Sequence, residues 1–380
     1  MSEVSVIIPV YNAGRFLEET LAAVRAQTLQ AKEVIAVDDG SADNSWEILE
    51  RTPWVKRFSR PRHGANNNRI LGIEQSSSQY IALLDQDDLW HPQHLQILAG
   101  LLEKHPRVPL AFARSGSYSE KKRPSFDLSS HKFRQIDFWK NAPSMPFDCP
   151  SVALIRTSGL DKIGGLSSEF EGVSDFHLWG RLSSDAEFIK SDAKTAARYQ
   201  SENSYSNTLR SKKPLYYLNN LIRAFESISE ERIKKNPGES TSRTAQLQMW
   251  QEFAALFQHE GQLPRTTLEQ AFKRTDTLCG NVSSRQCYYV FEATIWHLKS
   301  CLTNQEAPIR HQYLDLFFNS ILPDFPRAKL PLMIALALGL EKPILKEAAT
   351  LSSPRKDAKR ILQIKAVLNW WKSHTKNFRR

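Results

Sequence analysis

The feature that most constrains this chain is a strand that needs cover on both faces. Val4 to Val10 is a run of apolar, β-branched residues that holds Pro9 near its end and is closed by the turn-formers Asn12 and Gly14. Such a run fits a strand buried on both sides. Phe16, Leu17, Leu21 and Val24 then recur at helical spacing, which predicts a helix to about Gln27. A second apolar strand, Val34 to Val37, stops abruptly at Asp38-Asp39-Gly40-Ser41, and Asp43 to Glu50 reads as helix. A third, Tyr80 to Leu84, stops at Asp85-Gln86-Asp87-Asp88. Strand–helix–strand order implies right-handed parallel crossovers in a helix-covered sheet, an α/β fold. Ligands of such sheets sit outside the carboxyl ends of the strands, where both acidic clusters fall.

The stretch from Arg114 to Phe147 is polar, rich in Ser, Lys and Pro and weakly periodic, and is predicted to be a long excursion. Beyond about Asn207 the pattern turns helical. Leu218, Leu221, Ile222 and Phe225 share one face, as do Leu247, Trp250, Phe253 and Phe257. The expected organisation is a catalytic α/β domain over residues 1–209, a helical region over 210–350 and a basic tail over 351–380.

Net charge is +10, and the tail carries eight of those charges, with nine bases against Asp357. A charge confined to an appendage argues against a general nucleic-acid binder and for a local anionic partner. Ile361, Ile364, Leu368 and Trp371 form an apolar stripe there, flanked by Lys359, Arg360, Lys365 and Lys372. Two readings stay open: a helix lying on an anionic membrane through residues 355–380, and a helix packed on its neighbours. The longest apolar run, Leu330 to Leu340, is about half of the ~20 residues that span a bilayer, and no secretory signal is legible. A cytoplasmic location is expected, and the membrane reading of the tail would place the protein on the inner face of the plasma membrane. Cys149, Cys279, Cys287 and Cys301 show neither metal-site nor redox spacing.

Carboxylates crowded at parallel strand ends repel one another unless a cation sits among them. Asp85, Asp87 and Asp88 form such a group, and their hard oxygens suit Mg²⁺ or Mn²⁺. A capping role before Leu89-Trp90 accounts for one of them, Asp88. Asp38-Asp39-Gly40-Ser41 reads either as a plain strand-to-turn connection or as a place where a carboxylate accepts a base N–H.

In combination and order, Val6-Ile7-Ile8-Pro9-Val10-Tyr11-Asn12, Val37-Asp38-Asp39-Gly40-Ser41 and Ala82-Leu83-Leu84-Asp85-Gln86-Asp87-Asp88-Leu89-Trp90 resemble the signature series of family 2 glycosyltransferases. The resemblance covers roughly Ser2 to Asn207. It implies a GT-A (Rossmann-like) nucleotide-sugar-binding domain with a mostly parallel sheet, here followed by an all-α C-terminal region. It implies that Pro9, Val10 and Tyr11 line the nucleobase, that Asp39 binds a uracil-type base with Asp38 nearby, and that Arg69 lies near the diphosphate. Asp85 and Asp87 match the DxD motif, with Asp85 facing ribose and metal and Asp87 binding the metal, Mn²⁺ or Mg²⁺. Ile163-Gly164-Gly165-Leu166 resembles the turn before the acceptor-side helix. Ser174 to Leu182 resembles the segment with the catalytic acids, in which Asp175 matches the base; His177, Trp179 and Cys149 are acceptor-side candidates.

The implied activity is inverting transfer from a nucleotide sugar to a hydroxyl of a glycan or lipid-linked acceptor. Ser174 stands where the family often has Glu, and Glu202 where it often has His. Those departures motivate the alternative, a catalytically degenerate GT-A scaffold.

Overall fold

A computed structural model describes residues 3–141, 149–184, 186–200, 209 and 214–239. The helices expected between 240 and 350 and the basic tail lie outside the described residues, as does Glu202. The chain divides into two compact units, one of Met1–Tyr205 with Arg223–Gly238 and the other of Ser206–Ile222 with Glu239–Arg380.

Unit one is built on a mixed sheet. β1 (Val4–Val10), β2 (Glu33–Asp38), β3 (Val55–Ser59) and β4 (Tyr80–Leu83) are joined by α1 (Leu17–Arg25), α2 (Ser45–Glu50) and α3 (Ala65–Glu74). Their spatial order is β3-β2-β1-β4 and every pairing among them is parallel. Every residue of β1 and β2 is buried, which is why their sequences run apolar instead of alternating.

Past β4 the sheet changes sense. β5 (Leu89–Trp90) is followed by α4 (His94–Lys104), β6 (Leu110–Tyr118), β7 (Phe133–Ile136), α5 (Phe138–Asn141), β8 (Ala153–Arg156), α6 (Thr157–Lys162), α7 (Ser174–Leu182) and β9 (Phe188–Tyr199). β8 pairs antiparallel with both β4 and β6, β6 pairs parallel with β9, and β5 and β7 pair antiparallel with β9.

Two expectations are corrected here. The polar excursion from Arg114 contributes the second half of β6 and all of β7. The polar run Arg114–Ser117 still forms strand because it is incompletely buried and irregular, with register shifts around Arg114. Asp88 caps no helix: β5 follows it directly and α4 starts only at His94.

One network ties the parallel half together and a second braces the other half. The Glu33 carboxylate, on β2, accepts hydrogen bonds from Ser5 Oγ of β1 (2.6 Å) and from Ser77 N just before β4 (2.7 Å), and pairs with Lys56 of β3. His94, fully buried, sets Nδ1 2.7 Å from Thr195 Oγ1 and stacks on Trp90. Burial, reinforced by His91, lowers its pKa to about 3, so it stays neutral.

A long helix, α8 (Pro214–Lys235), realises the helical spacing around Leu221 and Phe225. Its C-terminal part belongs to unit one and packs on α7. Phe225 lies against Phe176, Glu231 pairs with Arg181 (3.0 Å), and Ser227 Oγ is 3.3 Å from His177 Nε2.

Candidate functional site

The ends of β1, β2 and β4 meet because β1 is central and parallel to both neighbours. Asp39 N donates to Val10 O (2.8 Å), and Leu84 N to Ile7 O (2.9 Å). Beyond those bonds the three strands run out into Tyr11-Asn12, Asp38–Ser41 and Asp85–Asp88. Pro9 and Val10 lie within β1 and are buried, so only Tyr11 of that trio reaches the partly open rim. Asn12 takes a left-handed backbone (φ 48°) and closes the gap to β2. Its N–H donates to Ser41 Oγ (2.9 Å) and its Oδ1 accepts from Ala42 N (2.8 Å).

The two aspartates after β2 build loops. Asp38 Oδ2 accepts from Gly40 N and Ser41 N (both 3.1 Å), and Ser41 Oγ donates to its Oδ1 (2.5 Å). Asp39 is buried and accepts from His63 N on Oδ1 (2.7 Å) and Gly64 N on Oδ2 (2.9 Å). It thereby fixes the loop leading to α3, in which Gly64 has a φ of 87° that an L side chain rarely adopts. The same loop carries Arg62, whose guanidinium lies over the Tyr11 ring at 4.5 Å.

The acidic turn after β4 is tied on every side. Asp85 pairs with Arg69 of α3, and its N–H donates to Ser151 Oγ (3.0 Å). Tyr118 OH donates to the main-chain oxygen of Asp87 (2.5 Å), and Tyr199 N donates to Asp88 Oδ1 (3.0 Å). Cys149 sits with Sγ 3.7 Å from Asp88 Oδ2, in the packing behind the turn. Burial, then the charge of Asp85, raises Asp87 to about 6. Burial followed by the charges of Asp85 and Asp87 lifts Asp88 well above the usual carboxylate range. The turn is short of positive charge, with Arg69 the cation paired directly to it. Arg198 of β9 is near enough to lower Asp87 slightly.

These residues fit a divalent cation. Two neighbouring carboxylates, Asp85 and Asp87, offer hard oxygens in a place whose electrostatics call for more positive charge. Two side-chain ligands match an ion that keeps other positions for water and phosphate oxygens; among the described residues no cluster of three or more His, Cys, Asp or Glu could hold a metal. Arg69 Nε is buried and without a hydrogen-bond partner, a donor left over beside Asp85.

Asp175 lies in the first turn of α7, and its Oδ1 accepts from Phe176 N (2.8 Å). The loop before α7 is tied to α3 through Asn66 Nδ2 to Ser167 O (2.5 Å), and to α7 itself through Arg181, which donates to Gly165 O (3.1 Å) and Ile163 O. Trp179 is fully buried, and His177 is buried with its ring 4.1 Å from that of Phe170. Burial, with a smaller effect of Arg181, lowers His177 to about 4. Both side chains belong to the interior around α7 and α8, because the helix turns them inward, so neither offers an open acceptor-side surface. Arg62, Ser151, Tyr118 and Arg198 were not legible from sequence, since each reaches this site from a distant part of the chain; Gln86 lies inside the acidic turn, but its bonds to Tyr11 are likewise non-local.

Residues 5–164 match a family model described as glycosyl transferase family 2. Among curated proteins, an uncharacterized glycosyltransferase of Rickettsia bellii is 36% identical over 191 residues, covering 48% of this chain and 26% of that protein. Glycosyltransferase GlyG of Streptococcus pneumoniae is 39% identical over 95 residues, covering 23% of this chain and 32% of the relative. The chain thus spans about a third or less of these relatives' own length. Among solved structures, S. aureus TarS 1–349 in complex with UDP aligns with a TM-score of 0.51 at 16% identity, covering 91% of this chain and 90% of the other. The same protein in complex with UDP-GlcNAc aligns with a TM-score of 0.51 at 15% identity, covering 83% and 89%. At that identity the likeness is one of fold.

Proposed function

We propose, from the match of residues 5–164 to the glycosyl transferase family 2 model, that the protein moves a sugar from a UDP-sugar to a hydroxyl of a glycan or lipid-linked acceptor, with inversion at the anomeric carbon. The observation that carries this reading is the meeting of three strand ends at an under-neutralised acidic turn, with Arg69 beside it. The UDP and UDP-GlcNAc complexes of the structural neighbour support the choice of donor.

Tyr11 and the Asp39-held loop flank the nucleobase, and Arg69 turns its guanidinium toward the diphosphate. Asp85 and Asp87 would hold Mn²⁺ or Mg²⁺, which when bound offsets the charge of the departing nucleoside diphosphate. Arg69 supplies the same kind of offset from the protein side. Asp175 takes the proton of the acceptor hydroxyl as that oxygen attacks the anomeric carbon and the diphosphate leaves from the opposite face. Residues 1–209 form the catalytic part of this scheme and 210–350 a helical part for acceptor contact or self-association. The tail at 355–380 would hold the enzyme to an anionic membrane. No helix among the described residues is long and apolar enough to cross one.

Calorimetric titration of the protein and of Asp87→Ala with nucleoside diphosphates and nucleotide sugars, with and without Mn²⁺, tests the donor site. Metal-dependent uridine-nucleotide binding that disappears in Asp87→Ala is the expected result; no nucleotide binding with metal present would refute the reading. Ser174, which opens α7 where the family often has Glu, favours one alternative, a scaffold that binds donor without turnover. Donor binding without sugar transfer to any acceptor would favour it.

A further inference from the structure

Gln86 stands between the two carboxylates of the acidic turn, yet its side chain points its bonds at β1. Its Oε1 accepts from Tyr11 N (2.6 Å) and its Nε2 donates to Tyr11 O (3.1 Å). The β1–β4 ladder ends at Ile7 and Leu83, so Tyr11 lies past the last paired residue. A primary amide is the side chain that satisfies a main-chain donor and acceptor together, as a neighbouring strand would. The main chain of Gln86 is also held: buried Thr20 of α1 donates Oγ1 to Gln86 O (2.8 Å) and lies 3.3 Å from Asp88 O.

We infer that Gln86 is a positioning residue that fixes the spacing between Tyr11, on the nucleobase side, and Asp85 and Asp87, on the diphosphate side. The inference rests on the donor-site reading above. Two consequences follow from the bonds. The main-chain N–H of Tyr11 and one lone pair of its C=O are already engaged, so on this side the backbone offers the base no donor and at most one acceptor site beside the Tyr11 ring. The two ends of a nucleoside diphosphate are gripped by one rigid unit, so binding one end does not require the other to reorganise. Gln86 is not needed to hold the turn in place, because Ser151, Tyr118 and Tyr199 also anchor it. Its loss therefore alters register more than folding.

The test uses the full chain as wild type, Gln86→Leu and Gln86→Glu, titrated with UMP and with UDP plus Mn²⁺, alongside thermal melting. UMP engages the base side with one phosphate, whereas UDP with Mn²⁺ engages both ends. In Gln86→Leu the advantage of UDP over UMP is expected to fall on the order of tenfold, as for a misregistered pair of contacts, with UMP affinity and melting near wild type. Gln86→Glu keeps the acceptor for Tyr11 N but sets a carboxylate oxygen against Tyr11 O, so it should lose part of that advantage. An unchanged UDP-to-UMP ratio in both variants, or equal loss of both nucleotides with a lowered melting temperature, would overturn the inference alone. Wild-type protein that binds neither nucleotide would overturn the donor-site reading, and this inference with it.

Discussion

Replacing Glu33 by Gln should cost stability in a manner that depends on pH. Burial by itself would raise the Glu33 carboxyl, but hydrogen bonds from Lys56, Ser5 and Ser77 outweigh it and bring its pKa from the ordinary 4.5 down to about 2. That depression corresponds to about 3 kcal/mol of stability at neutral pH. The Glu33 side chain is only 5% exposed, but Lys56 is 56% exposed and screened by water, which discounts the figure to about 2 kcal/mol. In urea this is a midpoint lowered by about 1 M.

The sign follows from which state takes up protons first. Above 4.5 the carboxylate is ionised in both states and the full contribution is present. As pH falls below 4.5 the unfolded chain binds the proton while the folded one does not, and the contribution is lost toward 2. The gap between wild type and Glu33→Gln should be constant from about pH 7 to pH 5 and less than half as large by about pH 3. His94 and His177, held neutral in the fold, destabilise both proteins equally in acid and cancel from the difference. Urea unfolding followed by tryptophan fluorescence at several pH values measures the gap. A difference below about 0.5 kcal/mol at neutral pH, or one that does not narrow in acid, would refute the assignment of Glu33 as the charged tie among β1, β2 and β3.

Gly180→Ala in α7 would set a Cβ 3.0 Å from Ile228 Cγ2 and 3.1 Å from its Cβ. A cost of about 1–3 kcal/mol is expected as a lowered melting temperature, with Ile228→Ala partly relieving it in the double variant. Asp39→Ala removes the acceptor of the His63 and Gly64 N–H groups. Faster proteolytic cleavage within residues 60–64 and weaker uridine-nucleotide binding are expected, and unchanged proteolysis would contradict the loop-holding role. Asp175→Asn should reduce turnover by about 10²- to 10⁴-fold while donor affinity by calorimetry stays the same. Retained turnover would remove Asp175 from the role of base.

The strands that carry the site were legible because they are buried on both faces. Val4–Val10, Glu33–Asp38 and Tyr80–Leu83 are largely apolar runs, the last two of which lead into acids, and burial and acidity are both local properties of sequence. β3 was missed for the opposite reason. It lies at the sheet edge with Val55 its one buried residue, and its Lys56, Arg57 and Ser59 resemble a loop. β6 and β7 escaped because their polar residues are incompletely buried, and the antiparallel placement of β8 between β4 and β6 is a non-local pairing that no local periodicity encodes.

The same division runs through the site. Position along the chain tells that Asp38, Asp39, Asp85 and Asp87 arrive at strand ends, but it does not tell which of their oxygens the protein itself consumes. Asp38 and Asp39 spend lone pairs on four backbone N–H groups, so much of what these two acids do is to shape the rim. Asp85, paired with Arg69, and Asp87 instead sit close together where a backbone hydrogen bond and the charge of Arg198 only partly offset burial and mutual repulsion, and Asp87 stays at about 6. A pair of acids that build loops and a pair left wanting a cation look alike as letters. They part company only when donors from residues 40, 41, 63 and 64 come into range, and with them the place where a charged ligand gains most by binding.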